Sequence, residues 1–326
     1  MECMDHIVTP EYIRKNLEIT YQKDGGLHQV FRDKDGEVIS TSYSLFPGVV
    51  LIFKEVHRHS YISNWRLKPD QGLLIEFCKE GRLECQSGME CLYHAARDVI
   101  LFRTDYTARN LQYPLKDFQS IGIAVNMDEL SPLFSVYLDQ MNLKMDSLFQ
   151  KYQLDQHFFR VLKASHQLES IFLEIGDAPE EVKINYWKIK VFELLLFLIS
   201  LKPEIEKHPK CRISQAQAAI AKEAYRYLME NLQEHITTTD LAKMLSTSPT
   251  QLKEGFRVVY GAPIQTFIRE QRIHAAARLL KQTDLKIRDV AEQFGYINVS
   301  KFSSAFQAVI GMKPVEYREQ SNGKIK

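Results

Sequence analysis

The feature that most constrains this chain is a pattern that occurs twice near its C-terminus. The first copy begins at Asp240 and reads DLAKMLSTSPTQLKEGFRVVYG, and the second begins at Asp289 and reads DVAEQFGYINVSKFSSAFQAVIG. Each copy predicts a short amphipathic helix, a turn and a second helix that a glycine closes, Gly261 or Gly311. That layout is typical of a helix-turn-helix, whose second helix enters the major groove of DNA. The repeat therefore predicts a protein that binds double-stranded DNA.

In each predicted recognition helix, the hydrophobic spacing separates a buried face from an exposed one. Leu252 and Phe256 are one turn apart in the first helix, and Phe302 and Phe306 are one turn apart in the second. The polar residues around them offer groups that suit base edges and phosphates. The predicted DNA-contacting residues are Thr250, Gln251, Lys253, Glu254 and Arg257 in the first unit, and Ser300, Lys301, Ser303, Ser304 and Gln307 in the second.

The first unit departs mildly from an ideal recognition helix. Gly255 lies inside the helix and costs up to about 1 kcal/mol relative to alanine. Glu254 stands where a basic residue often contacts bases or phosphates. Both residues suggest that the first unit reads fewer bases, or a less guanine-rich half-site, than the second.

Charge divides the chain into two parts. Residues 216–326 hold 16 Lys and Arg against 11 Asp and Glu, whereas residues 1–215 hold 26 against 30. A basic C-terminal part on a mildly acidic N-terminal part fits a DNA-binding module joined to another domain. The length of 326 residues also predicts about two domains. We expect a first domain over 1–200, a linker over 201–214 and a DNA-binding domain over 215–326.

The chain shows no sign of export or membrane insertion. Its first residues, MECMDHIVTPEYIRKN, are polar, and its most apolar run, at 191–201, is far shorter than the ~20 residues of a spanning helix. Five cysteines are an odd number, so at least one thiol has no partner within the chain. The sequence thus predicts a cytoplasmic protein.

The N-terminal part predicts strands followed by helices. Residues 1–35 are expected to be irregular, with an early helix at 11–21, and strands are expected over about 36–126 and helices over about 127–200. The predicted strands are 49–54, 73–79, 82–86, 98–103, 108–113 and 120–125, and the predicted helices of this part are 127–140, 155–174 and 180–201. The predicted C-terminal helices are 216–234, 239–246, 250–260, 264–281, 286–294, 298–310 and 314–319. The fold class is α+β: an antiparallel, cupin-like barrel or sandwich with helices, and an all-α C-terminal domain.

The C-terminal third resembles the DNA-binding half of AraC-family (AraC/XylS) transcription regulators. The connecting stretch FIREQRIHAAARLLKQTDLKIRDVAEQFGYINVSKFSSAFQAVIGMKPVEYR carries the likeness. Its specific elements are Arg272, Ala276, Leu279-Leu280, Val290-Ala291, Phe294-Gly295-Tyr296, Ser300, Phe302, Phe306, Gly311, Pro314 and Tyr317-Arg318. The resemblance implies a bacterial, nucleoid-associated regulator, most often an activator, that contacts RNA polymerase and places its recognition helices in successive major grooves.

The same resemblance implies that the N-terminal half senses a small-molecule effector and mediates dimerisation. Aromatic and polar residues near the predicted strands are the candidate effector-binding residues: Trp65, Phe77, Tyr93, His94 and Phe102. The apolar face of helix 180–201 is a candidate homodimer contact. No cofactor, metal or catalytic group is expected.

Two alternatives remain open at this stage. A ligand-independent regulator, controlled by its abundance or by a protein partner, would have a filled barrel. A DNA-repair alkyl acceptor would use Cys211, whose basic neighbours Lys210 and Arg212 lower a thiol pKa. The pair His57 and His59 lacks the nearby glutamate of a cupin metal site, so a metal centre is not predicted.

Overall fold

The computed structural model describes residues 15–61, 72–87, 89–103, 111–154, 159–202 and 212–321. The chain divides into two compact units, Met1–Arg212 and Ile213–Lys326. No helix within the described ranges is both long and apolar enough to cross a membrane.

The N-terminal unit is built on antiparallel strands. The strands are β1 (Leu17–Tyr21), β2 (Leu27–Asp33), β3 (Gly36–Phe46), β4 (Val49–His57), β5 (Ser60–Tyr61), β6 (Gly72–Ser87), β7 (Glu90–Ala95), β8 (Asp98–Arg103), β9 (Leu111–Gln112), β10 (Asp117–Asn126) and β11 (Phe159–Lys163). A large sheet runs in the order β1-β2-β3-β4-β10-β6-β8-β11. A smaller sheet joins β5, β9, the second half of β6, and β7.

Strand β6 passes from one sheet to the other at Gly81. This glycine has φ of +86°, and a Cβ there would lie 2.1 Å from the carbonyl oxygen of Asp117. Only glycine fits so close an approach with a positive φ. The turn it permits lets the two sheets face each other.

Apart from its exposed edge strand β1, the large sheet packs on both faces, and alternate side chains along each strand point to opposite faces. One face packs on the helices of this unit: Phe77 stacks on Phe172 with 5.0 Å between ring centroids, and Trp187 lies 4.7 Å from Tyr43. The other face looks toward the smaller sheet and carries a second core that includes Phe31, Val38, Val56, Cys78, Ile100, Phe102 and Phe118. The space between the sheets is called the barrel interior below.

Four helices cover the first face. They are α1 (Pro132–Gln140), α2 (Met145–Lys151), α3 (His166–Gly176) and α4 (Lys183–Ser200), and a 3-10 turn at Met127–Glu129 precedes them. Ser131 caps α1 and Ser165 caps α3, each accepting a hydrogen bond of 3.2 Å from a backbone N–H in the first turn. Apolar residues on α3 and α4, such as Phe172, Leu194 and Leu198, complete this core.

Strands β3 and β7 and helix α2 have no counterpart among the predicted elements, and the predicted strand 108–113 and linker 201–214 lie partly outside the described residues. The N-terminal half contradicts the sequence prediction at two further places. Strands β1 and β2 occupy residues 17–33, where an irregular segment with a helix at 11–21 was predicted; residues 11–14 lie outside the described residues. Strand β11 occupies part of the predicted helix 155–174, because Leu162 pairs with Val99 at the free edge of β8. Strand β11 pairs with the distant strand β8, whereas β1 pairs with β2 in a local hairpin; in both places strand pairing outweighs the helical pattern. The predicted strands 73–79 and 82–86 are one strand, β6.

The C-terminal unit is helical in its described part. After a short strand β12 (Arg212–Ser214) at the boundary, the helices are α5 (Gln215–Glu230), α6 (Thr238–Met244), α7 (Pro249–Tyr260), α8 (Ile264–Gln282), α9 (Ile287–Gln293), α10 (Val299–Ile310) and α11 (Pro314–Ser321). These bounds lie within a few residues of the predicted ones. Helix α8, at 1.5 Å per residue, is a rod of about 28 Å between the two repeated units.

One ion pair joins the first hairpin of the N-terminal unit to α4. Asp24, in the turn between β1 and β2, accepts hydrogen bonds from Lys183 Nζ at 2.6 Å and from the Tyr43 hydroxyl at 3.0 Å. Lys183 also lies 5.7 Å from the Trp187 ring, and only 9% of its surface is exposed. The hydrogen bond from Lys183 is the main reason that the pKa of Asp24 is lowered.

Asp24→Asn should therefore destabilise the protein in a pH-dependent way. A lowered folded-state pKa means that the carboxylate stabilises the fold above its unfolded pKa, near 4, and that this stability is lost as the pH falls through the folded pKa. We expect a loss of about 1–2 kcal/mol at pH 7 that shrinks below about pH 4. Denaturant unfolding from pH 7 to pH 2 measures the difference, with Asp35→Asn, in the exposed turn between β2 and β3, as the control. A difference that stays constant over this range would contradict the assignment.

Candidate nucleic-acid interface

The first helix-turn-helix consists of α6 and α7. Ser246, with φ of +51°, makes the turn, and Ser248 caps α7 by accepting a hydrogen bond of 3.2 Å from the Gln251 N–H. Leu252 and Phe256 are fully buried beneath α6, as their spacing predicts. Gly261, with φ of +82°, ends α7 in the left-handed conformation that favours glycine.

The second helix-turn-helix consists of α9 and α10 and has the same design. The Asn298 side chain caps α10 by accepting hydrogen bonds from the Ser300 and Lys301 N–H groups, at 2.8 and 3.1 Å. Phe302 and Phe306 are fully buried and pack on each other with ring centroids 5.6 Å apart. The buried pair fixes the rotation of α10, so the opposite face of the helix is exposed.

The predicted DNA-contacting residues form one exposed surface on each recognition helix. In the first unit all five are exposed: Thr250, Gln251, Lys253, Glu254 and Arg257. In the second unit Ser300, Lys301, Ser304 and Gln307 are exposed, and Ser303 is half-buried. Sequence reasoning missed Ile297, in the turn before α10, of which 98% is exposed. The sequence feature that could have identified Ile297 is its position, directly before the capping residue Asn298 and two residues before α10 begins.

Two arginines of the family pattern hold the backbone around these helices. Arg272, on α8, donates hydrogen bonds of 2.7 Å from Nε to the carbonyl of Leu232 and from Nη2 to the carbonyl of Glu234. Arg318, on α11, donates one of 2.6 Å to the carbonyl of Leu285. Both side chains bind loops that lead into α6 or α9, so they position the two supporting helices.

Gly255 has a packing role that its sequence context does not reveal. The residue is buried in α7 and faces α5, where an added Cβ would lie 3.4 Å from the Gln217 carbonyl oxygen and 3.9 Å from Ala221 Cβ. The small residue lets α5 and α7 approach closely. Glycine lowers the helix propensity of α7 but is needed for this close packing. Its presence therefore does not by itself indicate that α7 reads fewer bases.

The barrel interior of the N-terminal unit holds a band of polar side chains. Strand register sets Lys54 of β4 beside Ser40 of β3 and Ser120 of β10. Glu76 Oε1, fully buried, accepts hydrogen bonds from Lys54 Nζ at 2.8 Å and from the Ser120 hydroxyl at 2.7 Å. Burial opposes ionisation of Glu76, but Lys54 and Ser120 hold its pKa below the usual value. The barrel interior therefore contains a neutralised charge pair.

Two buried polar atoms near this band have no hydrogen-bond partner among the described residues. The Nε2 of His94 donates to the Asp98 carbonyl at 2.9 Å, which leaves Nδ1 as an acceptor without a donor. The Ser42 hydroxyl, one row along from Lys54, has no partner either. Burial is also the main reason that the pKa of His94 is lowered, so the ring is neutral. The His94 Nδ1 can accept a hydrogen bond, and the Ser42 hydroxyl can donate one.

The structure separates the predicted effector-binding residues. His94 and Phe102 face the barrel interior. Phe77 does not: it belongs to the core under the helices, because it lies one residue from the interior-facing Glu76. Tyr93 donates a hydrogen bond of 2.6 Å to Glu84, on the outer face of the smaller sheet. Trp65 lies outside the described residues.

Other candidate groups are accounted for by local contacts. His57 Nδ1 lies 2.8 Å from Asp117, and His59 Nδ1 lies 3.3 Å from the Tyr113 carbonyl oxygen. Burial raises the pKa of the Cys78 and Cys85 thiols, which keeps them protonated and unreactive. Over the described ranges, no cluster of His, Cys, Asp and Glu could hold a metal ion. Cys211, the residue of the alkyl-acceptor alternative, lies outside those ranges.

Comparison with known proteins agrees with this geometry. A family model described as a helix-turn-helix domain matches residues 241–320. The transcriptional activator AarP of Providencia stuartii is 29% identical over 110 residues, which are 34% of this chain and 82% of AarP. The bifunctional transcriptional activator/DNA repair enzyme AdaA of Bacillus subtilis is 30% identical over 95 residues, which are 29% of this chain and 45% of AdaA. The predicted resemblance to AraC-type regulators is confirmed.

One solved structure illustrates the same likeness. A transcriptional regulator from Chromobacterium violaceum, described as an AraC-type DNA-binding domain-containing protein, is 27% identical and covers 32% of this chain and 92% of its own, with a TM-score of 0.31. Each of these likenesses spans about a third of this chain, and the chain spans less than half of AdaA.

Substitution of Gly255 should test the contact between α5 and α7. Gly255→Ala should change the free energy of unfolding by no more than about 1 kcal/mol, since the added methyl fits at van der Waals distance and alanine favours helix. Gly255→Leu should destabilise by about 1–3 kcal/mol through overpacking. Chemical denaturation measures both, with Lys253→Leu, on the exposed face of the same helix, as the control. Equal stability of the two leucine variants would show that the contact is not tight.

Proposed function

We propose that this chain is an AraC-type helix-turn-helix DNA-binding transcription regulator and that it reads a specific operator with both recognition helices; the family match over residues 241–320 supports the proposal. Helix α7 would enter one major groove and α10 the next, about one DNA turn or 34 Å along the same face. One observation carries this proposal: the same recognition helix occurs twice. In each copy a side chain caps its start, two buried apolar residues fix its rotation, and its exposed face is polar. The protein would act in the bacterial cytoplasm, on the nucleoid, without catalysis.

The groove-facing residues divide by chemistry. Lys253 and Lys301 suit guanine, Gln251 and Gln307 suit adenine, and Glu254 suits the amino group of cytosine. Arg257 lies further along α7, where a phosphate contact is favoured. The serines of α10 accept or donate to several base edges. We propose these assignments for both half-sites.

Selection of bound sequences from a random DNA pool tests the reader directly. Purified full-length protein, at a stated salt concentration, should enrich two half-sites about one helical turn apart. Enrichment of one short half-site would assign reading to α10 alone, and no enrichment by either the full chain or residues 213–326 would overturn the proposed operator reading. Sedimentation of the bound duplex would also give the number of chains per site.

Lys301→Ala should separate a base contact from a phosphate contact. If Lys301 pairs with guanine, the variant should bind the selected site about 5- to 100-fold more weakly and lose preference at one position. If it contacts phosphate, affinity should fall evenly across sequences and the salt slope should drop by about 1. Fluorescence titrations at several salt concentrations measure both effects. Lys313→Ala, an exposed lysine beyond α10, controls for loss of charge; identical behaviour of the two variants would exclude a specific role for Lys301.

The second part of the proposal is that an effector binds in the barrel interior and shifts the balance between DNA-binding states. Its support is the band around Glu76, with His94 Nδ1 and the Ser42 hydroxyl buried without described partners. Both groups could hydrogen-bond a polar ligand in the barrel interior. A ligand can shift the equilibrium only by the difference in its affinity for the two states.

Two further partners belong to the proposal. Helix α4 exposes Ile189 and Leu196, and α1 exposes Leu133, Val136 and Tyr137; Tyr137 lies 6.0 Å from the Phe192 ring of α4. We propose this apolar surface, rather than the buried face of α4, as the homodimer contact.

Activation of transcription would require contact with RNA polymerase, which transcription in vitro from the selected site would detect. Equal transcription with and without the protein would exclude it.

Ser42→Ala and Ser120→Ala should affect stability in opposite directions. Removing the unpartnered Ser42 hydroxyl should stabilise the effector-free protein by about 1 kcal/mol, whereas removing the Ser120 hydroxyl, which Glu76 uses, should destabilise it by about 1–3 kcal/mol. Thermal unfolding measures both.

The effector response of Ser42→Ala can be tested with a reporter gene driven by the selected site and screened over defined nutrients. The reporter should respond to an effector with the wild-type protein and respond less with Ser42→Ala. Equal responses would remove Ser42 from the effector site.

A further inference from the structure

The turn of the second helix-turn-helix presents one apolar side chain to the outside. Ile297 is 98% exposed, although isoleucine is among the residues most often buried. Its neighbours make contacts within the chain: the half-buried Tyr296 ring packs on Phe302 with centroids 5.3 Å apart, and the exposed Asn298 side chain caps α10. Of these three residues, Ile297 is the aliphatic one and is almost completely exposed.

Other exposed apolar residues of the C-terminal unit are more covered. Met244 and Val315 are each 52% exposed and Leu285 is 42% exposed, so each still packs against its own unit. Because it is 98% exposed, the Ile297 side chain has almost no contact with the rest of the chain. An apolar side chain held in this way gains from burial only when something binds against it.

We propose that Ile297 contacts the 5-methyl group of a thymine in the half-site read by α10, and so specifies that base. The residue lies two positions before Val299, the first residue of α10, and the N-terminal end of a recognition helix is the end that meets base edges. Thymine is the one base that offers a methyl group in the major groove, and aliphatic side chains recognise it by contact. Ile297 lies three and four residues before the exposed Ser300 and Lys301, so the proposal rests on α10 being a reading helix.

The first unit lacks this feature at the matching place. Thr247 lies two positions before Pro249, the first residue of α7, as Ile297 does before Val299. Thr247 is half-buried, and its hydroxyl lies 3.4 Å from Gln251 Oε1. Thr247 has a methyl group, but its side chain is half-buried and carries a hydroxyl, so it presents less apolar surface than Ile297. The thymine preference should therefore be stronger in the second half-site than at the matching position of the first.

Replacing single thymines by deoxyuridine tests the contact, because it deletes only the methyl group. Each thymine of the selected site is replaced in turn, and affinity for the full-length protein is measured for wild type, Ile297→Ala and Val315→Ala. In wild type, one position in the α10 half-site should weaken binding about three- to fivefold, the equivalent of one buried methyl group. Ile297→Ala should bind the unmodified site about three- to fivefold more weakly and lose sensitivity at that position. Val315→Ala should behave as wild type.

Several results would overturn the proposal. Binding of every duplex by Ile297→Ala with wild-type affinity would show that Ile297 makes no contact. Weaker binding with unchanged sensitivity to deoxyuridine would show that Ile297 contacts the sugar-phosphate backbone and that another residue contacts the methyl group. A selected α10 half-site without thymine would also contradict it. Loss of DNA binding by Lys301→Ala together with normal binding by Ile297→Ala would leave α10 as a reader and reject only the methyl contact.

Discussion

The burial of paired apolar residues one helical turn apart fixes the reading surface on which this protein depends. Phe256 in α7 and Phe306 in α10 are fully buried, each with a second buried residue four positions earlier. A helix held at two such points cannot rotate about its axis without exposing an aromatic ring, which costs several kcal/mol. The polar residues between the anchors are thereby directed outward. Caps at Ser248 and Asn298 then fix where each helix begins.

The sequence predicts this unit well because its determinants are local. Helix caps, an i, i+4 aromatic pair and a closing glycine all act within about 15 residues, so the repeated pattern carries them directly. The barrel was harder to predict. β11 forms because Leu162 meets Val99, 63 positions earlier, and Phe77 faces the helices because Glu76 faces the barrel interior. Such facts depend on register and pairing partners that no local pattern specifies. The role of Gly255 was missed for the same reason, since its partner Ala221 lies in another helix.

The two units differ in how their polar groups find hydrogen-bond partners. In the C-terminal unit Arg272 and Arg318 satisfy loop carbonyls, and their charges remain partly in solvent. In the barrel interior Lys54 and Glu76 neutralise each other, yet His94 and Ser42 keep atoms without described partners. An orphaned polar atom costs about 1–3 kcal/mol when water is excluded. In the proposed effector site, a polar ligand that hydrogen-bonded these two groups would remove that cost.

The chain order places the first recognition helix next to the start of the C-terminal unit. Residues that follow Arg212 enter α5 directly through the cap formed by Ser214 and Gln217. The carbonyl of Gln217 then faces Gly255 of α7, without a side chain between them. A shift of α5 by a few tenths of an ångström would therefore act on the backbone of α7, since a close-packed interface transmits displacement and does not absorb it. Helix α10 belongs to a separate core with α8 and α9. A displacement of α5 would therefore act on α7 directly and on α10 only through α8 and its core.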